Sequence, residues 1–155
     1  MANGKFETGP FLSAAFLCEK LLQEADGVKS AIRIVDRLTI QTAGPEPPTE
    51  MPETPYTVVL FVRFKSGRAR GPMTLQVTLA NPAGESKSIV NKPVMFEGED
   101  DRGVDAICNM SMKLKHAGIY WFYVGLDGVN LTRVPFRVIY LREVTPPPHQ
   151  GTGTP

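Results

Sequence analysis

The side chains that could act as bases or nucleophiles near neutral pH are few and far apart in the chain. His116 and His149 are the candidate general bases, and Cys18 and Cys108 are the candidate thiol nucleophiles. Neither histidine has a nucleophile nearby in the sequence, and the cysteines stand in apolar surroundings typical of inert core thiols. No Gly-rich phosphate loop, paired-cysteine zinc pattern or nucleophile elbow is present. We therefore predict that the chain is not an enzyme and has no catalytic residue and no cofactor.

Acidic side chains are concentrated in the segment EGEDDRG, whose carboxylates could bind calcium. The candidate ligands are Glu97, Glu99, Asp100 and Asp101. Consecutive acids lack the spacing that turns alternate side chains inward toward one ion. The pattern favours a solvated loop, and we predict no metal site.

Lys65, Arg68 and Arg70 come close together in the segment FKSGRARG, which is predicted to be a hairpin loop. Such a loop is usually solvated, but three cations could also contact an anionic group of a partner. The whole chain has a formal net charge of +1, which provides no bulk attraction for nucleic acid or for an anionic membrane. Neither of these is a predicted partner.

No segment has the pattern of a signal peptide or of a membrane-spanning helix. Glu19 and Lys20 interrupt the N-terminal apolar run, and Asp36 and Arg63 interrupt later runs before the roughly 18 residues that a span requires. We expect a cytoplasmic protein whose two cysteines form no disulfide.

After residue 56 the apolar side chains alternate with polar ones, which is typical of strands. In MTLQVTLANPAG, the alternation of Met73, Leu75, Val77 and Leu79 ends in an Asn-Pro-Ala-Gly turn. Further strands are predicted in YTVVLFVRFK, SIVNKPVMF, GVDAICNMSMKL, IYWFYVGL and LTRVPFRVIYL, and Pro93 places the second of these at a sheet edge or a bulge. Regular strands at short spacing predict an all-β sandwich or barrel.

Composition divides the chain into one domain and two unstructured ends. The predicted domain covers residues 11–141 and contains a connector loop at 42–55, where five prolines leave little that could pair or be buried. Residues 1–10 are predicted to be a flexible N-terminus, and residues 142–155 a disordered Pro-rich tail.

The N-terminal third allows two interpretations. FLSAAFLCEKLLQEADG could be an amphipathic helix that ends at Gly27, because its residues are good helix formers. It could equally be the first strand of a hairpin that turns at Asp26 and Gly27, with VKSAIRIVDRLTI as the second strand. The β-branched second segment needs a neighbouring strand, which favours the hairpin.

The run KHAGIYWF resembles the tyrosine corner of immunoglobulin-like sandwiches, where a small residue and a glycine lead to a tyrosine and a central strand. Gly118 would let the chain turn, and the Tyr120 hydroxyl would return a hydrogen bond to the upstream backbone. His116 stands where antibody-type domains usually have aspartate, and Phe122 stands where they have the second cysteine. The resemblance therefore implies an immunoglobulin-like sandwich without a disulfide.

A wider resemblance covers nearly the whole predicted domain. The segments AFLCEKLLQEADGVKSAIRIVDRLTI, FKSGRARGPMTLQVTLANPAG and GIYWFYVGLDGVNLTRVPFRVIY resemble a family of short bacterial proteins known only as a domain of unknown function. That resemblance implies one sandwich domain from a bacterium or a phage, and it brings no activity with it.

The closing hairpin is apolar on both faces, although a sandwich sheet needs only one apolar face for its core. Tyr120 and Phe122 would point inward, which leaves Ile119, Trp121 and Tyr123 on the other face. Either the N-terminal segment covers that face, or its side chains bind a protein partner or a second copy of the chain.

Fold and surface together predict a non-enzymatic interaction or structural module. The predicted partner-binding residues are Ile119, Trp121 and Tyr123 on the sheet and Lys65, Arg68 and Arg70 in the loop. The alternative is a sandwich that binds a small ligand, a carbohydrate or calcium through its acidic loop and exposed aromatic side chains.

Overall fold

Residues 6–148, the part of the chain that the computed structural model describes, form a sandwich of two β-sheets. The strands are β1 (Phe11–Gln23), β2 (Lys29–Ile34), β3 (Arg37–Gly44), β4 (Thr54–Lys65), β5 (Arg70–Ala80), β6 (Ser86–Glu97), β7 (Gly103–Leu114), β8 (Gly118–Leu126) and β9 (Val129–Val144). Sheet A has the order β2-β1-β4-β7, and sheet B has the order β3-β9-β8-β5-β6. The prediction of an all-β sandwich is confirmed. Within these residues, no helix is long and apolar enough to cross a membrane.

The core lies between the two sheets and is built by the inward-facing half of each alternating strand. On β4, the fully buried side chains are Val58, Leu60, Val62 and Phe64. Phe64 meets Phe96 of β6 edge to face, with ring centroids 5.8 Å apart. Burying side chains of this size stabilises the fold by about 1.5–3 kcal/mol each. Because the alternation in the sequence places these side chains on one face of each strand, it determines which faces of the two sheets pack together.

The N-terminal third is a hairpin, so residues 11–24 lie in a strand and its turn and not in a helix. β1 pairs with β2, and the turn between them contains Gly27 with a φ of +86°. The predicted second arm of the hairpin is wrong in one respect, because it is two strands and not one. Arg33 has a φ of +55°, and after Ile34 the chain crosses to the other sheet, where β3 pairs in parallel with β9.

The end of this hairpin folds back over the outer face of sheet A. On β1, Ala14 stands opposite Arg63 of β4, which stands opposite Asp105 of β7. Lys29, beside the hairpin turn, nevertheless lies with its Nζ 2.9 Å from the Asp105 carboxylate. A straight hairpin would place Lys29 roughly 30 Å from Asp105 along the strands. The hairpin therefore bends across β4, and we call its end, residues 19–34, the N-terminal strap.

The outer face of β4 is apolar and shielded from solvent. Val59 and Phe61 belong to the outer half of β4, yet only 6% and 5% of their surface is exposed. Phe16 packs against Phe61 with ring centroids 5.2 Å apart, and the Arg63 guanidinium lies 5.5 Å from the Phe61 ring. Phe16 of β1 and the Arg63 side chain therefore help to shield the outer apolar face of sheet A, and the strap reaches the same face through Lys29.

Cys18 and Cys108 are free, buried thiols on opposite faces of sheet A. Cys18 stands opposite Val59 on the outer face, whereas Cys108 stands opposite Leu60 and belongs to the core. Because β4 separates their strands, the two residues are two strand spacings apart, roughly 10 Å. A disulfide between them would break the sheet, and the prediction of a sandwich without a disulfide is confirmed.

The closing hairpin of β8 and β9 turns at Asp127 and Gly128, whose φ values are +47° and +80°. This is the backbone that the Asp-Gly dipeptide favours. Leu126 stands opposite Val129, so the loop has two residues, and β9 begins at Val129, before the predicted strand segment that starts at Leu131.

The boundaries of the predicted domain differ in detail from the strands. β3 and β4 extend into the predicted connector at 42–55 from both sides. The connector is also tied to sheet B, because the Tyr140 hydroxyl donates a hydrogen bond of 2.6 Å to the Pro48 carbonyl oxygen. β9 continues to Val144, past the predicted boundary at 141.

Part of the predicted flexible N-terminus packs against the connection between β4 and β5. The backbone N–H of Arg68 donates a hydrogen bond of 2.8 Å to the Thr8 carbonyl oxygen, and Pro10 is buried. Residues 1–5 of the predicted flexible N-terminus and residues 149–155 of the predicted tail lie outside the described residues.

Candidate interaction surface

β8 enters sheet B through a tyrosine corner. Tyr120 is buried, and its hydroxyl donates a hydrogen bond of 3.0 Å to the carbonyl oxygen of His116 and accepts one of 3.3 Å from the His116 N–H. Gly118 has a φ of +128°, and a Cβ at this position would lie only 2.9 Å from Pro82 Cβ. Glycine is therefore needed at the turn, and the corner sets which side chains of β8 point inward.

The outer face of sheet B carries the aromatic side chains of β8. Because side chains alternate along a strand and Tyr120 points inward, Ile119, Trp121 and Tyr123 point outward, and each is partly exposed. Trp121 stands opposite Pro135 of β9. The N-terminal strap lies on sheet A, on the opposite side of the sandwich, and so leaves these side chains uncovered.

Two arginines of β9 flank the aromatic side chains. Arg133 stands opposite Tyr123, and Arg137 stands opposite Ile119. The guanidinium carbon of Arg133 lies 4.4 Å from the centroid of the Trp121 ring, which is a cation–π contact. Both arginines are exposed, and neither side chain takes part in a salt bridge among the described residues. These five residues are called the aromatic–arginine face below.

The arginines were missed in the sequence, although a signal for them exists. In the segment RVPFR they stand four residues apart, an even spacing, so both project from the same face of β9. Their places opposite Tyr123 and Ile119 depend on the hairpin register, which shifts at a bulge between Val124 and Gly125.

The predicted cationic loop is not part of this face. Lys65 ends β4 in sheet A and Arg70 begins β5 in sheet B, so the segment crosses between the sheets and the predicted hairpin loop is wrong. Arg68 is exposed within this crossing. On β5, Ala80 stands opposite Trp121, and ten residues of strand, roughly 30 Å, separate Ala80 from Arg70. The structure therefore does not bring the two groups of predicted partner-binding residues together.

The acidic loop between β6 and β7 is bound by neighbouring cations. Lys65 Nζ donates a hydrogen bond of 2.9 Å to the Asp101 carbonyl oxygen. Arg102 Nη1 lies 2.6 Å from a carboxylate oxygen of Glu97 and 3.7 Å from one of Glu99. Within residues 6–148, no three His, Cys, Asp or Glu side chains are grouped so that they could hold a metal ion.

The carboxylate of Asp105 has a strongly perturbed pKa. Hydrogen bonds from Arg63 Nε and Nη2, at 2.6 and 2.8 Å, lower the pKa of Asp105 to about 2, and the ammonium of Lys29 contributes in the same direction. Perturbed groups often mark active sites, but this one joins β4, β7 and the N-terminal strap. We interpret it as a structural ion pair.

A second feature of the surface, which the sequence did not indicate, is a groove of about 810 Å³ between β6 and β7. These two strands are edges of different sheets. Lys92 Nζ joins them at one end by donating a hydrogen bond of 3.2 Å to the Ile107 carbonyl oxygen. Beyond that point the groove is lined by the apolar side chains of Leu79, Ile89, Met110, Met112 and Tyr120 and by the basic side chains of Lys87, Lys113, Lys115 and His116.

Comparison with known proteins gives a family but no activity. The family model described as "Family of unknown function (DUF6941)" matches residues 13–139. No curated protein matches the sequence significantly.

Two solved structures show remote similarity. An immunoglobulin-like protein from Pseudomonas aeruginosa is similar over 81% of this chain and 97% of its own, with 12% identity and a TM-score of 0.30. The alkylpurine DNA glycosylase AlkC from Pseudomonas fluorescens, bound to DNA containing an abasic site analog, is similar over 64% of this chain, with 13% identity and a TM-score of 0.38. The chain spans 27% of the length of that glycosylase chain. Neither likeness supports a function. What the family match shows is that this chain, an immunoglobulin-like β-sandwich without a disulfide, belongs to the family of unknown function DUF6941.

Proposed function

We propose that the chain is a non-enzymatic module that binds a protein partner through the aromatic–arginine face of sheet B. The observation that carries the proposal is the contrast between the two outer faces. On sheet A the outer apolar side chains Val59 and Phe61 are buried within the chain, whereas Trp121 and Arg133 stack on the outer face of sheet B, where Trp121 is partly exposed. Tryptophan, tyrosine and arginine are the side chains that contribute most to binding at protein interfaces.

The partner is a different protein with an acidic surface. Arg133 and Arg137 are exposed and form no salt bridge within residues 6–148. Two copies that met through this face would bring their arginines together, and like charges at an interface cost free energy. Charge complementarity therefore favours a partner with carboxylates over a second copy.

The state of the cysteines supports a binding role. Burial raises the pKa of the thiols of Cys18 and Cys108. A thiol with a raised pKa is less often the thiolate, which is the nucleophilic form. Neither cysteine is therefore prepared to act as a nucleophile.

The test begins with a photo-crosslinking amino acid at position 123, which captures the partner in the native host and identifies its contact site. Binding of the purified partner is then measured by calorimetry with Arg133→Glu and with the control Lys20→Glu, the same charge change at an exposed position of β1. We expect Arg133→Glu to raise the Kd at least about tenfold, a loss of about 1.4 kcal/mol, and the control to leave it unchanged. The proposal is overturned if Arg133→Glu binds like the wild type. A wild-type dimer that Arg133→Glu converts to a monomer would instead establish self-association.

A further inference from the structure

We infer that the groove between β6 and β7 is a second binding site, which takes an extended acidic segment of a partner protein as an added strand on β7. This site is separate from the aromatic–arginine face. It lies where two sheet edges meet, whereas the proposed face lies on the outside of sheet B.

The free edge of β7 presents alternate backbone groups to the groove. The Ile107 carbonyl oxygen accepts a hydrogen bond from Lys92 of β6, so Ile107 directs its backbone groups away from β4. In an antiparallel strand this direction alternates from one residue to the next, and the pairing of β4 with β7 runs in one continuous register. Asn109, Ser111 and Lys113 therefore direct their N–H and C=O groups into the groove.

Pro55 supports the same assignment independently. It stands opposite Lys113 in the pairing of β4 with β7. Proline has no N–H to donate across a strand pair, so this position suits a pair that exchanges no hydrogen bonds. The backbone groups of Lys113 then point away from β4, as the alternation from Ile107 requires.

An unpaired edge of this kind is a template for another strand. Edge strands that present free N–H and C=O groups pair readily with extended segments unless they are covered. Residues 109–114 of the edge span roughly 17 Å, which is enough for about five residues of an added strand. The groove volume of about 810 Å³ leaves room for their side chains.

The side chains that line the groove indicate which residues the added strand should contain. Met110 and Met112 face the core side of β7, and Leu79 lies across from them on the wall formed by sheet B. Methionine-rich surfaces adapt to different apolar side chains. Because alternate residues of the added strand would face this apolar wall, every second residue of the segment should be apolar.

The charges at the groove favour acidic residues at the other positions. Lys87, Lys113 and Lys115 line the groove with one acid, Glu85, whose carboxylate accepts a hydrogen bond from a side chain of its own turn. Glu53 is shared by Lys113 and Lys115 at 3.9 and 4.0 Å, which leaves both ammonium groups only loosely paired. Carboxylates of a partner would complete these ion pairs.

The probe is a fluorescein-labelled octapeptide of alternating glutamate and valine, compared with a lysine–valine octapeptide and with a glutamate–valine octapeptide N-methylated at alternate residues. We expect the first peptide to bind with a Kd below about 1 mM and the other two at least about tenfold more weakly. N-methylation removes backbone donors and keeps the side chains, so it tests strand addition itself. Failure of the first peptide to bind, or equal binding by either comparison peptide, overturns the inference.

The chain offers a matched pair of variants. Ser111→Pro removes the free-edge N–H, which an edge strand tolerates, whereas Ser111→Ala keeps it. We expect only the proline variant to lose binding, and Arg133→Glu to bind the peptide like the wild type. Amide hydrogen exchange of the wild-type protein gives a readout that does not depend on how the proline variant folds. The peptide should slow exchange at Asn109, Ser111 and Lys113, and unchanged exchange there with bound peptide overturns the inference.

Discussion

Asp105→Asn tests whether one carboxylate holds the N-terminal strap against sheet A. The Asp105 side chain is 11% exposed and accepts hydrogen bonds from Arg63, while Lys29 of the strap lies 2.9 Å away. Its pKa is lowered from 3.8 to about 2 in the folded chain. Each unit of difference between the folded and unfolded states corresponds to about 1.4 kcal/mol, so ionised Asp105 stabilises the fold by about 2.5 kcal/mol at neutral pH.

The pH dependence follows from the direction of the shift. Because the folded pKa is the lower one, the stabilisation is complete above the unfolded pKa and is lost as the pH falls from about 4 to about 2. Urea unfolding should therefore show Asp105→Asn to be less stable than the wild type by about 2 kcal/mol at pH 7. The difference should shrink to below about 0.5 kcal/mol at pH 2.

The control for this series is Asp101→Asn, which removes an exposed carboxylate of the acidic loop and should change stability by less than about 0.5 kcal/mol at either pH. Lys29→Met adds a local readout, because it leaves the Arg63 contact and frees the strap. Amides of β2 should then exchange faster with solvent. A gap between Asp105→Asn and the wild type that stays the same from pH 7 to pH 2 would refute the ion-pair argument.

Three further predictions concern the corner, the thiols and the exposed aromatic face. Tyr120→Phe should lower the free energy of unfolding by about 1–2 kcal/mol, since the buried His116 hydrogen bond is lost; an unchanged urea midpoint would contradict this. Cys18 and Cys108 should react with a thiol reagent at pH 8 at least about 100-fold more slowly in the folded chain than in urea, because both are buried and have raised pKa values; equal rates would show that the sheet opens freely. Trp121→Glu should elute as a folded species on gel filtration and lose only about 1 kcal/mol, the Arg133 contact; loss of cooperative unfolding would place Trp121 in the core.

The strands and turns could be predicted from the sequence because they depend on neighbouring residues. Alternation located the inward and outward side chains of β8, and Asp127 with Gly128 marked the closing turn. The crossing after Ile34 was hidden, because the segments on both sides of it are β-branched and no proline or glycine marks it. Arg33, just before the crossing, has a positive φ, a conformation that is uncommon for arginine and that the sequence does not indicate.

The strap and the groove could not be predicted, because each depends on contacts between distant residues. The strap is held by the ion pair of Lys29 with Asp105, which belong to the two opposite edge strands of sheet A, β2 and β7. The groove lies between edge strands of two different sheets, which Lys92 and Ile107 join by a hydrogen bond. No periodic pattern in one segment records how far apart two sheet edges stand.

The parallel pairing of β3 with β9 affects how the chain folds during its synthesis. Gln41 of β3 donates a hydrogen bond to Glu143 of β9, a residue 102 positions later, so the partner of this strand leaves the ribosome long after the strand itself. Until then Leu38 and Ile40, which pack against the core in the finished protein, have no neighbouring strand with which β3 could pair. Contacts of such long sequence separation slow folding. Sheet B can therefore be completed only after translation has delivered β9, and a nascent chain that stalls before that point exposes β3 to any chaperone that binds unpaired apolar strands.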